Sequence, residues 1–331
     1  MAKSSASLSK ELNFNRKSSY PEIKSHSSPD IKEISFNDIF LRSYFEDNKS
    51  YEAFEDSWFA LIQGIRENPR LFKNKVFFSD HPYKKDVLVV YNHLCSNYQE
   101  LTELFRDLLE TTLKKELIWK NANPLHLPIL MQYGLKPYKG EYSWNSHSRF
   151  DDQTYPQYLC LILNFKTLSS KTLAQLRQQT RVVSKHYKDI KILPYKEEYK
   201  LSCINLLEHC ALEISTSNKI DSREILSANL IYLNHPPYHS YVVAQDKKIV
   251  AFIAFDIRCE VANFNCLIYD RTIKYLPSYA MMKVSELLSK EGAKWLNLSG
   301  SENKSLDHWK KKFHPITSIF RTHVVFNSFK K

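Results

Sequence analysis

The stretch from Ala293 to Pro315 constrains this chain more than any other. Trp295, Leu296 and Leu298 form a short apolar run that stops at Ser299-Gly300, and Leu306, Trp309 and Phe313 then recur at helical spacing among lysines. The pattern predicts a buried strand over 294–299, a small-residue turn, and a basic amphipathic helix over 303–313. Free N–H groups at the start of a helix, its partial positive charge, and the cations Lys304, Lys310, Lys311 and Lys312 make such a junction a place for an anion. The plainer alternative is a helix whose three apolar residues pack a core while its lysines face water.

With 331 residues and 43% hydrophobic content, the chain can bury one large core or two smaller ones, and domain sizes favour two. Lys and Arg outnumber Asp and Glu by 47 to 36, so the formal charge of +11 suits an anionic partner such as RNA, a phosphorylated cofactor or an acidic surface. The six cysteines form no C-x-x-C pair and the histidines no metal-ligand spacing, so no metal and a reducing, cytoplasmic setting are expected. No run of about eighteen apolar residues occurs, which leaves peripheral membrane contact as the one membrane option. A Gly-x-Ser-x-Gly elbow, a Walker loop and a cysteine-nucleophile signature are also missing, which argues against a hydrolase or an NTPase.

Along the chain, residues 1–33 read as a Ser- and Lys-rich flexible tail, a place where a non-classical secretion signal would fit. An apolar helical face is expected over 36–72, a strand over 87–92, a helix over 98–113, a strand over 116–120, a glycine-ended helix over 125–134, and a strand over 158–165. A basic helix over 168–187 follows, with Arg177 and Arg181 on its charged side. The second half reads as a strand at 190–194, helices at 196–214 and 222–233, a hairpin over 241–256, a strand over 261–269, a helix over 277–291 and a last strand over 319–326. The expected division is therefore a tail 1–33, a unit 34–167, a connecting helix 168–189 and a second unit 190–331.

The second half's order of elements resembles the GNAT acyltransferase superfamily. Tyr269-Asp270-Arg271, the helix ending at Lys290, the strand closing on Ser299-Gly300-Ser301-Glu302, and Leu306-Asp307-His308-Trp309-Lys310 together are similar to the branch containing the FemABX aminoacyltransferases and the C-terminal domain of phosphatidylglycerol lysyltransferases. The segment 142–156, with Arg149 and Asp152, is similar to the one before the last strand of the first half in the lysyltransferase-like group. This resemblance implies an α/β (α+β) chain of two tandem GNAT-like units, each a mixed, mostly antiparallel sheet flanked by helices. It also implies acyl transfer, with aminoacyl-tRNA as donor, an amine or hydroxyl as acceptor and no tightly bound cofactor. An acyl-CoA-dependent N-acyltransferase is the runner-up, and a catalytically silent RNA- or protein-binding module is the third reading. The chain departs from the pattern at His314, where glycine is expected. The stretch 269–276 also lacks the glycines with which acetyl-CoA-using members cradle pyrophosphate.

The resemblance puts Lys310 at the reacting centre, as partner of an oxyanion or phosphate. Asp270 is expected to hold or deprotonate the incoming ammonium, and Arg271 to pair with phosphate or carboxylate, with a surface salt bridge as the plainer account. Ser299, Gly300, Ser301, Glu302 and Trp309 would line the donor site. Glu302 also suits a plain dipole-complementing role at the helix start. Arg149 and Asp152 are expected to bind substrate or close a turn; adjacent Asp151 and Asp152 point to opposite faces of an extended segment and so make no acid/base pair. Arg177, Arg181, Lys304, Lys311 and Lys312 are the expected phosphate or nucleic-acid contacts.

Overall fold

The computed structural model describes residues 28–34, 70–81, 84–138, 156–167, 171–218, 222–300 and 304–327. Residues 1–27 of the expected tail and most of the expected 36–72 helix lie outside them, as do Arg149, Asp152, Ser301 and Glu302; the end of the expected tail, Ile31–Glu33, is instead a strand paired with Arg70–Phe72. The first sheet contains β1 (Ile31–Glu33), β2 (Arg70–Phe72), β3 (Val76–Asp80), β4 (Val87–His93), β5 (Glu116–Ala122) and β6 (Lys136–Pro137), with α1 (Tyr98–Thr112) and α2 (Leu127–Gln132) flanking β5 in sequence. After β7 (Gln157–Leu161) come α3 (Leu163–Thr167), α4 (Ala174–His186), β8 (Lys191–Pro194), α5 (Lys200–Asn218) and α6 (Ser222–Asn234). The chain closes with β9 (His239–Gln245), β10 (Lys248–Arg258), β11 (Val261–Tyr269), α7 (Leu276–Lys290), β12 (Trp295–Asn297), α8 (Lys304–Lys311), β13 (Thr317–Ile319) and β14 (Thr322–Asn327).

Local chemistry explains the key elements. Asn97 caps α1 by accepting from Glu100 N at 2.9 Å while Glu100 accepts in return from Ser96 N at 2.9 Å, a reciprocal cap before the buried stripe Leu101, Phe105, Leu108 and Leu109. α7 runs into Gly292 at φ 98°, a backbone region in which a Cβ is strained. β10 holds an unbroken buried run from Ile249 to Phe255, as expected of a central strand covered on both faces.

The strand order is β1-β2-β3-β4-β5-β14-β6 in one sheet and β13-β7-β12-β11-β10-β9-β8 in the other. Both sheets are mixed and mostly antiparallel. The two parallel pairs, β4 with β5 and β11 with β12, are each joined by a crossover helix, α1 and α7 respectively. In each sheet the strand after the crossover is followed by a helix and an edge strand, β5-α2-β6 and β12-α8-β13. The repeat of this plan is the tandem architecture expected from the resemblance.

The two units exchange strands, so sheet membership crosses the expected division at 167 and 190. β7, expected in the first unit, lies between β12 and β13 of the second sheet, and β14 lies between β5 and β6 of the first. The strand expected over 319–326 is accordingly broken at Phe320-Arg321 and serves both sheets. Residues 70–72 form a strand rather than the end of a helix, because Lys73 and Asn74, both at positive φ (46° and 55°), turn the chain directly into β3. The strand expected over 158–165 stops at Leu161 and continues as α3.

A shared core accompanies the exchange: Leu71, Phe77 and Val89 of the first sheet join Val242, Phe252 and Ala254 of the second, with Leu206 and Leu207 of α5 and Tyr232 of α6 between them. The far face of the first sheet is covered by α1. α3, α4, α7 and Phe313 cover the far face of the second. No described helix is long and apolar enough to cross a membrane.

Candidate active site

The pairing of β11 with β12 lasts for three residues, Val261 with Trp295, Ala262 with Leu296 and Asn263 with Asn297. β11 then continues to Tyr269 beside β10, while the chain after Asn297 leaves the sheet. Two parallel strands that part in this way leave main-chain groups without sheet partners, and each such group needs a substitute.

The substitutes come from the Asn297–Gly300 segment and α8. Asn297 is fully buried; its Nδ2 donates to Gln157 Oε1 on β7 at 2.9 Å, and its Oδ1 accepts from Ser299 N at 2.8 Å. That bond turns Ser299 into the left-handed region at φ 59° and sends its Oγ back to donate to Phe264 O on β11 at 2.8 Å. Lys310 completes the arrangement by donating through Nζ to Ser299 O at 3.2 Å and to Gly300 O, with the ammonium 6.0 Å from the Phe264 ring.

Lys310 is 2% exposed, so the plainer alternative of a lysine facing water does not hold. It occupies the inner face of α8 because it stands four residues after Leu306 and three before the buried Phe313. Its ammonium ties two backbone carbonyls at the mouth of the divergence, so its first role there is to hold the turn. Asp307, one turn earlier, is also buried; it accepts from Tyr158 Oη at 2.5 Å and pairs with Lys311 Nζ at 2.8 Å. Burial raises the Asp307 carboxyl, but Lys311 and Tyr158 outweigh that and hold it below its ordinary range. This Asp307–Tyr158 fastening of α8 to β7 went unread in the sequence, although the apolar spacing of 306, 309 and 313 places position 307 beside the core face.

Trp309 donates Nε1 to Ser278 Oγ at 3.3 Å and packs edge-on against Phe313 at 5.1 Å, so α8 is docked on α7. Lys304 is exposed at the start of α8, and Lys312 is half-buried at its end. Lys311 is engaged with Asp307 and lies 5.8 Å from the Tyr158 ring rather than standing free for phosphate.

Asp270 and Arg271 are not brought to this point. Asp270 directly follows β11, six residues beyond Phe264 and roughly 20 Å along an extended strand. Its Oδ1 accepts from Thr272 N at 3.1 Å and Thr272 Oγ1 at 2.6 Å, and its Oδ2 pairs with Lys248 at 2.9 Å. Burial opposes ionisation, but these bonds together hold the carboxyl below its ordinary value. Of the two expected catalytic residues, Asp270 is thus set apart from Lys310: it closes the β11–α7 turn, with Arg271 exposed beside it.

Arg177 and Arg181 do stand together. They line an open groove of ≈ 450 Å³ with Lys185 and His186, on the side of α4 opposite its buried stripe Leu176, Val183. That stripe belongs to the same core as α7, so the basic face rides on the crossover helix of the divergent strands.

No protein-family model matches the chain, and no curated protein matches it in sequence. In structure it is similar to a conserved protein of unknown function from Bacteroides thetaiotaomicron, at 15% identity and TM-score 0.65, over 90% of this chain and 99% of that one. It is also similar to the C-terminal domain of a putative lysylphosphatidylglycerol synthetase from Agrobacterium fabrum, at 13% identity and TM-score 0.57, over 87% and 92%. FemX is matched at 9% identity and TM-score 0.57, over 89% and 97%. At such identities the likeness is one of fold. The chain shares its fold with FemX and with the C-terminal domain of that putative lysylphosphatidylglycerol synthetase.

Proposed function

We propose that the chain is an acyltransferase that moves an aminoacyl group from aminoacyl-tRNA to an amine or hydroxyl acceptor, with the reaction at the divergence of β11 and β12. The observation that carries this reading is that divergence itself, held in shape by the buried Lys310 in a chain with the fold of FemX. Attack on an ester carbonyl develops an oxyanion, which is stabilised by fixed donors and positive charge in a site sheltered from water. Lys310 contributes a charge that burial leaves poorly screened, and it fixes the Ser299–Gly300 turn beside which the carbonyl would lie.

Two features favour an aminoacyl ester over an acyl-CoA. The β11–α7 turn has no glycine and includes Tyr275 at φ 68°, and its Asp270 and Thr272 are bonded to each other rather than arranged to present successive N–H groups to a pyrophosphate. The Arg177–Arg181 face of α4 supplies cations for the phosphates of a nucleic acid, an interaction that weakens as salt rises.

The test is thermal stabilisation of the purified chain by charged tRNA, uncharged tRNA and acetyl-CoA, followed by transfer of labelled amino acid to small amines. Stabilisation by charged tRNA with transfer is expected. A shift with acetyl-CoA alone would replace the donor assignment, and transfer from neither would leave a binding module on this fold.

A further inference from the structure

β11 carries a bulge just beyond the point where β12 leaves it. Ala254 pairs with Cys266 and Phe255 with Phe264, so Asn265 faces no residue of β10. On the other side the pairing with β12 has already ended at Asn263. Asn265 thus has no strand partner on either flank among the described residues. Its side chain is half-buried, yet both Oδ1 and Nδ2 are covered by protein and bonded to nothing among the described residues. A buried amide with neither atom paired lowers the stability of a fold, and such a liability is expected where function needs it.

The neighbouring geometry points to the reaction. Phe264, directly before Asn265, gives its carbonyl to Ser299 Oγ and its ring lies beside Lys310. Asn265 therefore directly follows in the chain the residue that meets the turn Lys310 holds, at the bulge where β11 and β12 part. Resting on the acyl-transfer reading of this divergence, we propose that Asn265 is a catalytic residue whose Nδ2 donates to the ester carbonyl oxygen as it becomes an oxyanion, while Oδ1 accepts an N–H of the attacking amine.

The nitrogen lone pair forms the C–N bond, the ester C–O bond breaks, and the proton lost by the amine is taken up by the departing ribose oxygen. Asn265 gains and loses no proton. Because its amide atoms are covered, substrate entry involves a local displacement of the strand ends, and a ligand lacking an acyl group would leave Asn265 unengaged.

Asn265→Leu, Asn265→Ala and the wild-type protein should be compared in two measurements. Without substrate, Asn265→Leu is expected to melt at or above the wild-type temperature, since an unpaired polar group has been removed. With charged tRNA and amine, kcat is expected to fall 10²- to 10³-fold in both variants with little change in donor KM. A lower melting temperature for Asn265→Leu with transfer unchanged would overturn the inference, by making the amide a structural group bonded through water. Undiminished transfer in Asn265→Ala would overturn it alone, whereas no transfer by the wild-type protein from either donor would overturn the functional reading and the inference together.

Discussion

Replacing Lys310 by methionine keeps the aliphatic stem and removes the ammonium, so it isolates the clamp on the Ser299–Gly300 turn. Two carbonyls lose a charged donor. A hydrogen bond to a charged group contributes about 1.5–3 kcal/mol, but Gly300 is exposed and its carbonyl can turn to water, so its share is small. Ser299 is half-buried and held by Asn297 and Phe264, so its carbonyl has less freedom to find water. Relief of the ammonium's own desolvation offsets part of the loss. The net expectation is a destabilisation of about 1–2 kcal/mol, or a melting point lower by roughly 1–3 °C for a chain of 331 residues. Differential scanning calorimetry of Lys310→Met against the wild type measures it. Equal melting points, together with unchanged protease resistance around 295–300, would refute the clamp.

Three further outcomes follow from the same geometry. Trp309→Ala is expected to loosen α8 from α7 at a cost of about 2–4 kcal/mol, read by urea denaturation, because a half-buried indole and its bond to Ser278 are both removed. Asp270→Asn is expected to leave transfer at the wild-type rate and to cost at most about 1 kcal/mol, since its ion pair with the exposed Lys248 is a surface interaction; a large loss of kcat would restore Asp270 to the catalytic site. Arg177→Ala combined with Arg181→Ala is expected to weaken tRNA binding and to lower the slope of log affinity against log salt by about 1–2, measured by filter binding across a salt series.

His81 supplies a pH dependence. Burial first, then Lys84 and Lys120, lowers its pKa to about 4 from 6.5. The unfolded chain therefore binds the extra proton between those values, and stability present above pH 6.5 is lost as the pH falls toward 4, by about 3 kcal/mol in all. His323, fully buried with its pKa well below the ordinary value, acts in the same direction. His81→Gln should flatten the profile of denaturation midpoint against pH; an unchanged slope would show that His81 is protonated in the fold.

Much of the fold was legible where one residue pattern sufficed. β11 begins at Val261 and ends at Tyr269 as its alternation requires, and α1 carries its own cap and stripe. The β2–β3 hairpin was not read, because Leu71 and Phe72 also continue an apolar helical pattern. The signal against it was Lys73-Asn74, where asparagine tolerates the positive φ that a tight hairpin demands. Strand exchange was beyond local reading altogether. Nothing in the composition of β7 or β14 states which sheet receives it, since both are apolar strands whose partners lie more than a hundred residues away.

The site shows the same limit. The strand–turn–helix unit is visible in the sequence, and the spacing of Leu306, Lys310 and Phe313 puts the lysine inward, but the carbonyls it binds belong to a turn that no local pattern shows. Asp270 followed an apolar strand as a ligand-binding group often does, yet the distance between its end of β11 and Phe264 separates it from the divergence. The bulge at Asn265 depends on pairing register and had no signature in the sequence.

The central claim, that an activated carboxyl group is received where β11 and β12 part, is tested most directly by backbone hydrogen exchange with a tRNA carrying its amino acid through a non-hydrolysable amide. Binding is expected to slow exchange at 264–266 and 298–300, with a weaker effect along α4. Protection confined to α4, or to the β11–α7 turn at 270–276, while the analogue is demonstrably bound, would contradict it.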